Sequence, residues 1–239
     1  METPVKSYLG FRAFLLFLTI VFTALGIWQI QRLFWKLDLI ARVDARVHAQ
    51  ASAPPSPTQW TSTNPADAEY RHVTVSGHFD HSRETLVQAV TELGPGFWVI
   101  TPLTETDGTV VLINRGFVPP DHRDPSTRSE GEIGGNITVT GLLRLSEPGG
   151  AFLRSNKPAT NSWYSRDVAA IGENKGLANV VPYFIDADAT PNPGGYPVGG
   201  LTVVHFRNSH LAYILTWFSL AIMSLVAMIT LPRLMRRGD

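Results

Sequence analysis

The order of apolar and polar positions divides the chain into three regimes. Ala13–Ile30 (AFLLFLTIVFTALGIWQI) runs for eighteen positions without a charge, and Leu211–Pro232 (LAYILTWFSLAIMSLVAMITLP) runs for twenty-two. A membrane-crossing helix needs about 20 predominantly apolar residues, within a range of roughly 17 to 25, and both segments qualify. In 31–50 (QRLFWKLDLIARVDARVHAQ), Leu33, Leu37, Ile40, Val43 and Val47 recur at steps of three and four. That helical repeat predicts that the first span continues as a helix beyond its apolar stretch. ASAPPSPTQ (51–59) has three prolines in four positions, which marks a helix stop and a linker.

From Glu69 onward the period is two. Val73, Val75 and Phe79 alternate with His72, Thr74, Ser76 and His78, as in a half-buried strand. Similar runs cover 84–90, 97–103, 109–118, 136–145, 163–166, 181–187 and 201–207. TVVLINRGFV (109–118) is apolar on both faces and is predicted to be central. Asp107-Gly108 is a hairpin turn signal. Residues 121–136 and 191–200 read as loops, and 167–177 as a short helix. The predicted fold class is a membrane α + β protein, with two transmembrane helices bracketing an antiparallel β-barrel or sandwich-like domain. The predicted order is a cytoplasmic N-terminus (1–12), a first span (13–31), a helical extension (32–50) and a linker (51–68). A β domain (69–208), a second span (209–232) and a cytoplasmic C-terminus (233–239) follow.

Composition narrows the reading. Twenty basic and twenty acidic residues cancel, so the basic footprint of a nucleic-acid binder is missing. With no cysteine, disulfides, thiolate zinc sites, iron–sulfur clusters and c-type haem attachment are excluded. The first apolar run ends in Trp28, Gln29, Gln31 and Arg32 without an Ala-x-Ala pattern, so it reads as an uncleaved anchor rather than a signal peptide. Trp28, Trp35, Tyr213 and Trp217 lie near the inner ends of the spans, where an aromatic belt is expected. Arg233, Arg236 and Arg237 follow the second span and only Arg207 precedes it, which puts the C-terminus, and with two spans the N-terminus, in the cytoplasm. Lys6 and Arg12 before the first span are outnumbered by Arg32, Lys36, Arg42 and Arg46 after it, so the C-terminal asymmetry carries the assignment. With about ten residues before the first span there is no room for a mitochondrial presequence, and a bacterial inner membrane is the expected home, with the β domain on its periplasmic side.

The chain lacks a phosphate loop, GxGxxG, GxSxG and HExxH, so a conventional enzyme is not indicated. His72, His78 and His81 allow a metal site, although a solvated strand face is the plainer reading. A Cu(I) carrier is disfavoured, because the four methionines (Met1, Met223, Met228, Met235) all lie outside the β domain. His210 begins the second span, and its helical face continues through Tyr213, Ile214, Trp217, Ala221 and Ser224. The first span offers Thr19, Thr23, Gly26 and Ile30 as small or polar partners. His210 either caps the helix start or ligates a metal cofactor at the membrane rim. Gly77 and Gly116 suit bulges or close backbone approaches. Arg115 is either a paired, partly buried arginine or a contact to a ligand or partner.

Three segments carry a resemblance: GIWQIQRLFWKLDLI (26–40), VLINRGFVPPDHR (111–123) and RNSHLAYILTWFSLA (207–221). Their order, spanning both apolar runs and the central strand, resembles the Surfeit locus protein family of cytochrome c oxidase assembly factors. The match is poorest at Pro119-Pro120 and the loop 121–136. The resemblance implies two spans around a β domain, and a role in binding haem a and assisting its insertion into subunit I of the oxidase. It implies His210 as the iron ligand; for a ligand at that position Arg207, in the aqueous layer, is expected to face the haem carboxylates, and Tyr213 and Trp217 are the further cofactor-binding candidates. Trp28, Gln29, Arg32, Gly77, Arg115 and Gly116 are left as partner-contact or structural positions. Subunit I, the haem a synthase and the lipid bilayer are the implied partners. A cofactor-free scaffold for subunit I is the alternative.

Overall fold

A computed structural model describes residues 5–202, 204, 206 and 208–235. The chain forms two compact units, one from Met1–Arg42 with His205–Asp239 and the other from Val43–Val204. Arg207 lies outside the described residues, as do positions 203 and 205 of the strand predicted over 201–207. The described residues of that segment, Leu201, Thr202, Val204 and Phe206, form no strand.

The first unit contains α1 (Val5–Val47) as far as Arg42, and α5 (His210–Met235). α1 runs without a break through the end of the apolar stretch, as the three-and-four spacing predicts. Two helical segments, Leu9–Val47 and His210–Thr230, are long and apolar enough to cross a membrane. Most of their large apolar side chains face outward, Phe14, Phe17, Ile20, Leu215, Ile222 and Met223 among them. The helix termini at both caps of the linker behave as polar chemistry requires. In 51–68, two single-turn helices, α2 (Pro57–Trp60) and α3 (Pro65–Ala68), start at Ser56 and Asn64, whose side chains accept from Gln59 N–H and Ala66 N–H.

The second unit is a barrel. Its strands are β1 (His72–Phe79), β2 (Thr85–Thr91), β3 (Gly94–Glu105), β4 (Val110–Val118), β5 (Ile137–Leu145), the short hairpin β6 (Gly150–Ala151) and β7 (Arg154–Ser155), and β8 (Val180–Ala187). The main sheet runs β1-β5-β8-β4-β3-β2, and β1 also pairs with β3, closing a five-stranded ring with β2 as an outer flap. The length of β3 makes closure possible, since residues 94–100 pair with β2 and 103–105 with β1. The ladders are antiparallel except β4–β8, which is parallel. The connection that permits this runs from β4 through β5, the hairpin and α4 (Val168–Asn174) before β8. The predicted strand at 163–166 reduces to a single bridge, Val87 to Trp163.

The barrel interior packs Val73, Val75, Leu103, Val111, Ile113, Leu143, Val181, Tyr183 and Ile185 against Ala68. A second apolar layer lies outside it, where Val87, Ile100, Leu112 and Phe184 meet Trp163, Val168 and Ile171. β4 lies between the two layers and all nine of its residues are buried, the structural reason that it is apolar on both faces. Tyr183 Oη donates to Pro55 O at 2.8 Å, which fastens the linker to the barrel. Burial, with Glu105 nearby, pushes the Tyr183 phenol up.

Most polar groups inside this unit are paired; among the described residues Thr85 Oγ1, Thr101 Oγ1 and Arg144 Nε are buried without a hydrogen-bond partner. Asp186, 1 % exposed, accepts from Asn114 Nδ2 at 2.7 Å, Arg144 Nη1 at 2.9 Å and Arg166 Nη1 at 3.0 Å. Burial opposes ionisation of Glu147, but its hydrogen bonds and charge contact with Arg166 outweigh that and hold its carboxyl below the usual range. The loop 121–136 is not a loose polar excursion, because Arg128 is buried and forms a two-pronged pair with Glu84. His72 and His81 take separate partners: His72 Nε2 bonds Asp188 at 2.8 Å and His81 Nε2 bonds Ile133 O at 3.0 Å. No cluster of three metal-ligating residues occurs among the described residues.

Two predictions follow from this packing. Gly116 has φ +130°, and a Cβ there would lie 2.2 Å from Val198 O. Gly116→Ala is expected to destabilise the barrel by at least about 2 kcal/mol, from backbone strain plus displacement of the Val198 strand-like segment; chemical denaturation followed by circular dichroism measures it. The Asp188 hydrogen bond raises the His72 pKa above 6.5, against a smaller lowering by burial. A raised histidine pKa stabilises fully below the unfolded value and loses that contribution as pH rises through the folded value. His72→Gln is therefore expected to lower the melting temperature at pH 6 by an amount equivalent to under about 1 kcal/mol, since the pair is partly exposed, and to have less effect at pH 8.5.

Candidate functional site

The two apolar helices meet antiparallel through a short series of side-chain contacts. Thr19 Oγ1 lies 3.0 Å from Ser224 Oγ. Phe22 stacks on Trp217 with centroids 5.8 Å apart. Gly26 leaves room for the Phe218 ring, since a Cβ there would come within 2.8 Å of Phe218 Cζ. Gln29 meets His210. Each hydroxyl also bonds back to its own helix, Thr19 to Leu15 O at 2.9 Å and Ser224 to Leu220 O at 2.9 Å. Polar groups in an apolar medium thereby keep their partners. The buried face of α5 carries Ala221 and Ser224, and that of α1 carries Leu15, Gly26 and Gln29, as helical spacing requires.

His210 sits at the first residue of α5, where backbone N–H groups lack helical partners. Asn208 Oδ1 accepts the His210 backbone N–H at 3.3 Å. The His210 ring Nδ1 is 2.7 Å from Gln29 Oε1, and Gln29 is only 8 % exposed. An amide oxygen can only accept, so Nδ1 carries the hydrogen and Nε2 of the neutral ring keeps its lone pair. Nε2 has no hydrogen-bond partner among the described residues. This is the arrangement of a metal-ligating histidine, in which one ring nitrogen donates to a carbonyl that fixes tautomer and ring orientation while the other is left to bind.

Around this pair the aromatic residues divide. The Arg32 guanidinium stacks over Trp28 at 5.4 Å and over Trp35 at 5.8 Å. Lys36 Nζ lies 4.8 Å from the Phe206 ring centroid. Trp217 is half-buried against Phe22, whereas Tyr213, at 51 % exposed, turns away from the helix contact. The predicted His210 face is thus corrected at Tyr213 and holds at Ile214, Trp217, Ala221 and Ser224. The direct bond between Gln29 and His210 was not legible, because pairing positions 181 apart in sequence depends on how two helices rotate against each other. The available signal was a single amide, Gln29, in an otherwise apolar run. Asn208 was missed although its contact is local, an Asn side chain accepting the N–H two residues on at the helix start.

The middle sequence motif belongs to the β unit. Asn114 Oδ1 accepts the Gly116 N–H at 3.2 Å while its amide donates to Asp186, so the Asn-Arg-Gly turn of β4 is held from outside the barrel. Arg115 points inward, 3 % exposed, over the Phe79 ring at 5.0 Å. Gly77 passes Thr104 O so closely that a Cβ would lie 2.3 Å from it.

Comparison with known sequences places these features in a family. The family model described as the SURF1 family matches residues 16–222, which takes in most of the first apolar helix, the whole barrel and the first half of the second apolar helix. The chain is 39 % identical over 223 residues to "Surfeit locus protein 1" of Rattus norvegicus, covering 87 % of this chain and 71 % of the relative. It is 38 % identical over 224 residues to the Homo sapiens protein of the same name, covering 87 % and 72 %. A "SURF1-like protein" of Monosiga brevicollis is 38 % identical over 236 residues, covering 92 % and 86 %.

The helix pairing can be checked in a chain that has no cysteine of its own. A Thr19→Cys, Ser224→Cys double variant is expected to form an intramolecular disulfide under mild oxidation in detergent, because the two hydroxyls are in contact. Leu16→Cys with Ser224→Cys is expected to stay reduced, since Leu16 is on the exposed face; mass spectrometry of the oxidised proteins distinguishes the two.

Proposed function

The chain belongs to the SURF1 family, and from that premise we propose that it is a membrane-embedded assembly factor that holds haem a for delivery to subunit I of a haem–copper oxidase. The observation that carries the proposal is the Gln29–His210 hydrogen bond, which orients the ring and, in the neutral imidazole, leaves the lone pair on Nε2. Haem iron accepts such a nitrogen. The residues fit this cargo in other respects. Phe22 and Trp217 supply a stacked aromatic pair about two turns further along the same helix contact, and Trp28 an exposed ring in the residue before Gln29, and haem a carries both an apolar tail and two carboxylates. Arg32, paired with the Trp28 face, provides a fixed cation beside the same helix contact, and Arg207 remains a proposed carboxylate partner on sequence grounds.

The chain's own residues would do three things in this role. His210 binds the iron through Nε2. Gln29 positions the ring and keeps the hydrogen on Nδ1, which raises the basicity of Nε2. The small and hydroxyl side chains at 19, 26 and 224 hold the two helices close enough for the first two to meet. A single protein ligand suits a carrier, since release then requires breaking one coordinate bond. In this reading the termini lie on the side of the membrane marked by Arg233, Arg236 and Arg237, the β unit lies on the other side, and subunit I, the haem a synthase and the bilayer are the partners.

The test is to express the full chain together with haem a synthesis, purify it in detergent and record the reduced-minus-oxidised spectrum. The wild type is expected to carry haem a. His210→Ala is expected to lose it, and Gln29→Leu to retain it with affinity lowered about 10- to 100-fold, the range for loss of a positioning partner. A colourless wild type that still supports oxidase assembly would favour the cofactor-free scaffold, and haem retained by His210→Ala would remove the ligand assignment.

A further inference from the structure

We propose that the open end of the barrel is a binding site for a small carboxylate with an apolar body, anchored by Arg115. The site is separate from the helix pair and does not rest on the haem reading.

The end in question is formed where β1, β4 and β8 finish and β5 begins. A cavity of about 360 Å³ lies there, within the range of small-molecule pockets, which favour the mouths of β-barrels. Its walls are mainly apolar, with Phe79, Ile113, Ile133, Ile137 and Val139 prominent. The cavity exists because the β5–β8 ladder ends at Gly141–Ala187, with one further bond from Asp188 N to Thr140 O, while β5 continues back to Ile137 along β1. The chain after β8 then departs through Pro191 and Asn192, leaving β5 uncovered on that side.

Arg115 brings a full positive charge into this apolar space. Burial pulls its pKa down to about 10, so it stays cationic at neutral pH. Its hydrogen bonds are to neutral groups: Gly131 O, Asn192 Oδ1 at 3.3 Å and His81 Nδ1 at 3.4 Å. No carboxylate pairs with it within salt-bridge distance among the described residues. Of the nearby acids, Glu84 pairs with Arg128, Asp188, which lines the cavity, pairs with His72, and Glu132 acts on Arg115 only from beyond salt-bridge distance. The other buried arginine among the described residues, Arg128, pairs with a carboxylate, that of Glu84. The three neutral partners take both Nη2 hydrogens and one Nη1 hydrogen, which leaves Nε–H and the other Nη1–H, on opposite edges of the guanidinium, each able to donate one charge-assisted hydrogen bond to a carboxylate oxygen. One unbalanced charge in apolar walls suits a monoanion. A phosphate would bring more charge than a single guanidinium offsets and more oxygens than the remaining donors satisfy.

The experiment uses the full chain in maltoside micelles, with hexanoate as the probe. Calorimetry is expected to show saturable one-site binding, and inorganic phosphate none. Ile137→Trp, which fills the cavity and leaves Arg115 in place, is expected to weaken hexanoate at least tenfold. Isoleucine-methyl NMR on the wild type supplies a readout that needs no variant. Hexanoate is expected to shift Ile113, Ile133 and Ile137 and to leave Ile100 and Ile171, in the outer layer, unmoved. Shifts confined to Ile20 and Ile222 on the apolar helices would mean partition into the micelle only. That result, a lack of saturable binding, equal binding of phosphate, or undiminished binding by a folded Ile137→Trp would overturn the proposal.

Discussion

The β unit depends on one constraint, that β4 must be dry on both sides. Its inward residues Val111 and Ile113 close the barrel core, and its outward residue Leu112 forms part of the layer under Trp163 and α4. A strand in that position cannot leave a polar group unpaired. Asn114 is therefore tied to Asp186, and Asp186 in turn to Arg144 and Arg166. The parallel β4–β8 ladder follows from the same need, because β8 must lie against β4 for Phe184 and Ile185 to enter the outer and inner layers respectively. Truncating Asp186 would leave Arg166 with Glu147 alone and Arg144 with only a 3.8 Å contact to Glu69, so this cluster matters more by what its absence would cost than by any net attraction.

At the end of β4 the same rule is applied differently. Gly116 permits a close approach of Val198, and Arg115 is turned into the barrel with only neutral acceptors. A fully buried cation is tolerated there because carbonyl and amide oxygens and the Phe79 ring surround it. The charge is solvated by dipoles rather than neutralised by an ion pair, which keeps the site receptive to an anion.

The apolar unit works under the opposite solvent. Lipid offers no hydrophobic gain for bringing two helices together, so association relies on fit and on the few polar contacts. Gly26 admits Phe218, Thr19 meets Ser224, and Gln29 meets His210. The last of these serves two ends at once. It satisfies a buried amide oxygen, and it fixes the tautomer of a histidine at the helix start.

How much of this could be read from the chain alone differs between the levels. Hydropathy and period determined the two long apolar helices, the continuation of α1, the strand-rich middle and the central place of β4, because burial in lipid or in a two-layered core leaves a direct mark on residue type. The family resemblance pointed to His210, Gln29, Arg115 and Gly116 one residue at a time. Pairing was out of reach. The bond between Gln29 and His210, the closure of the ring through β1 and β3, the parallel β4–β8 ladder and the neutral hydrogen-bond partners of Arg115 are relations between distant segments. They depend on helix rotation, strand register and loop course, which local composition does not encode, and so they were decided only when the chain folded back on itself.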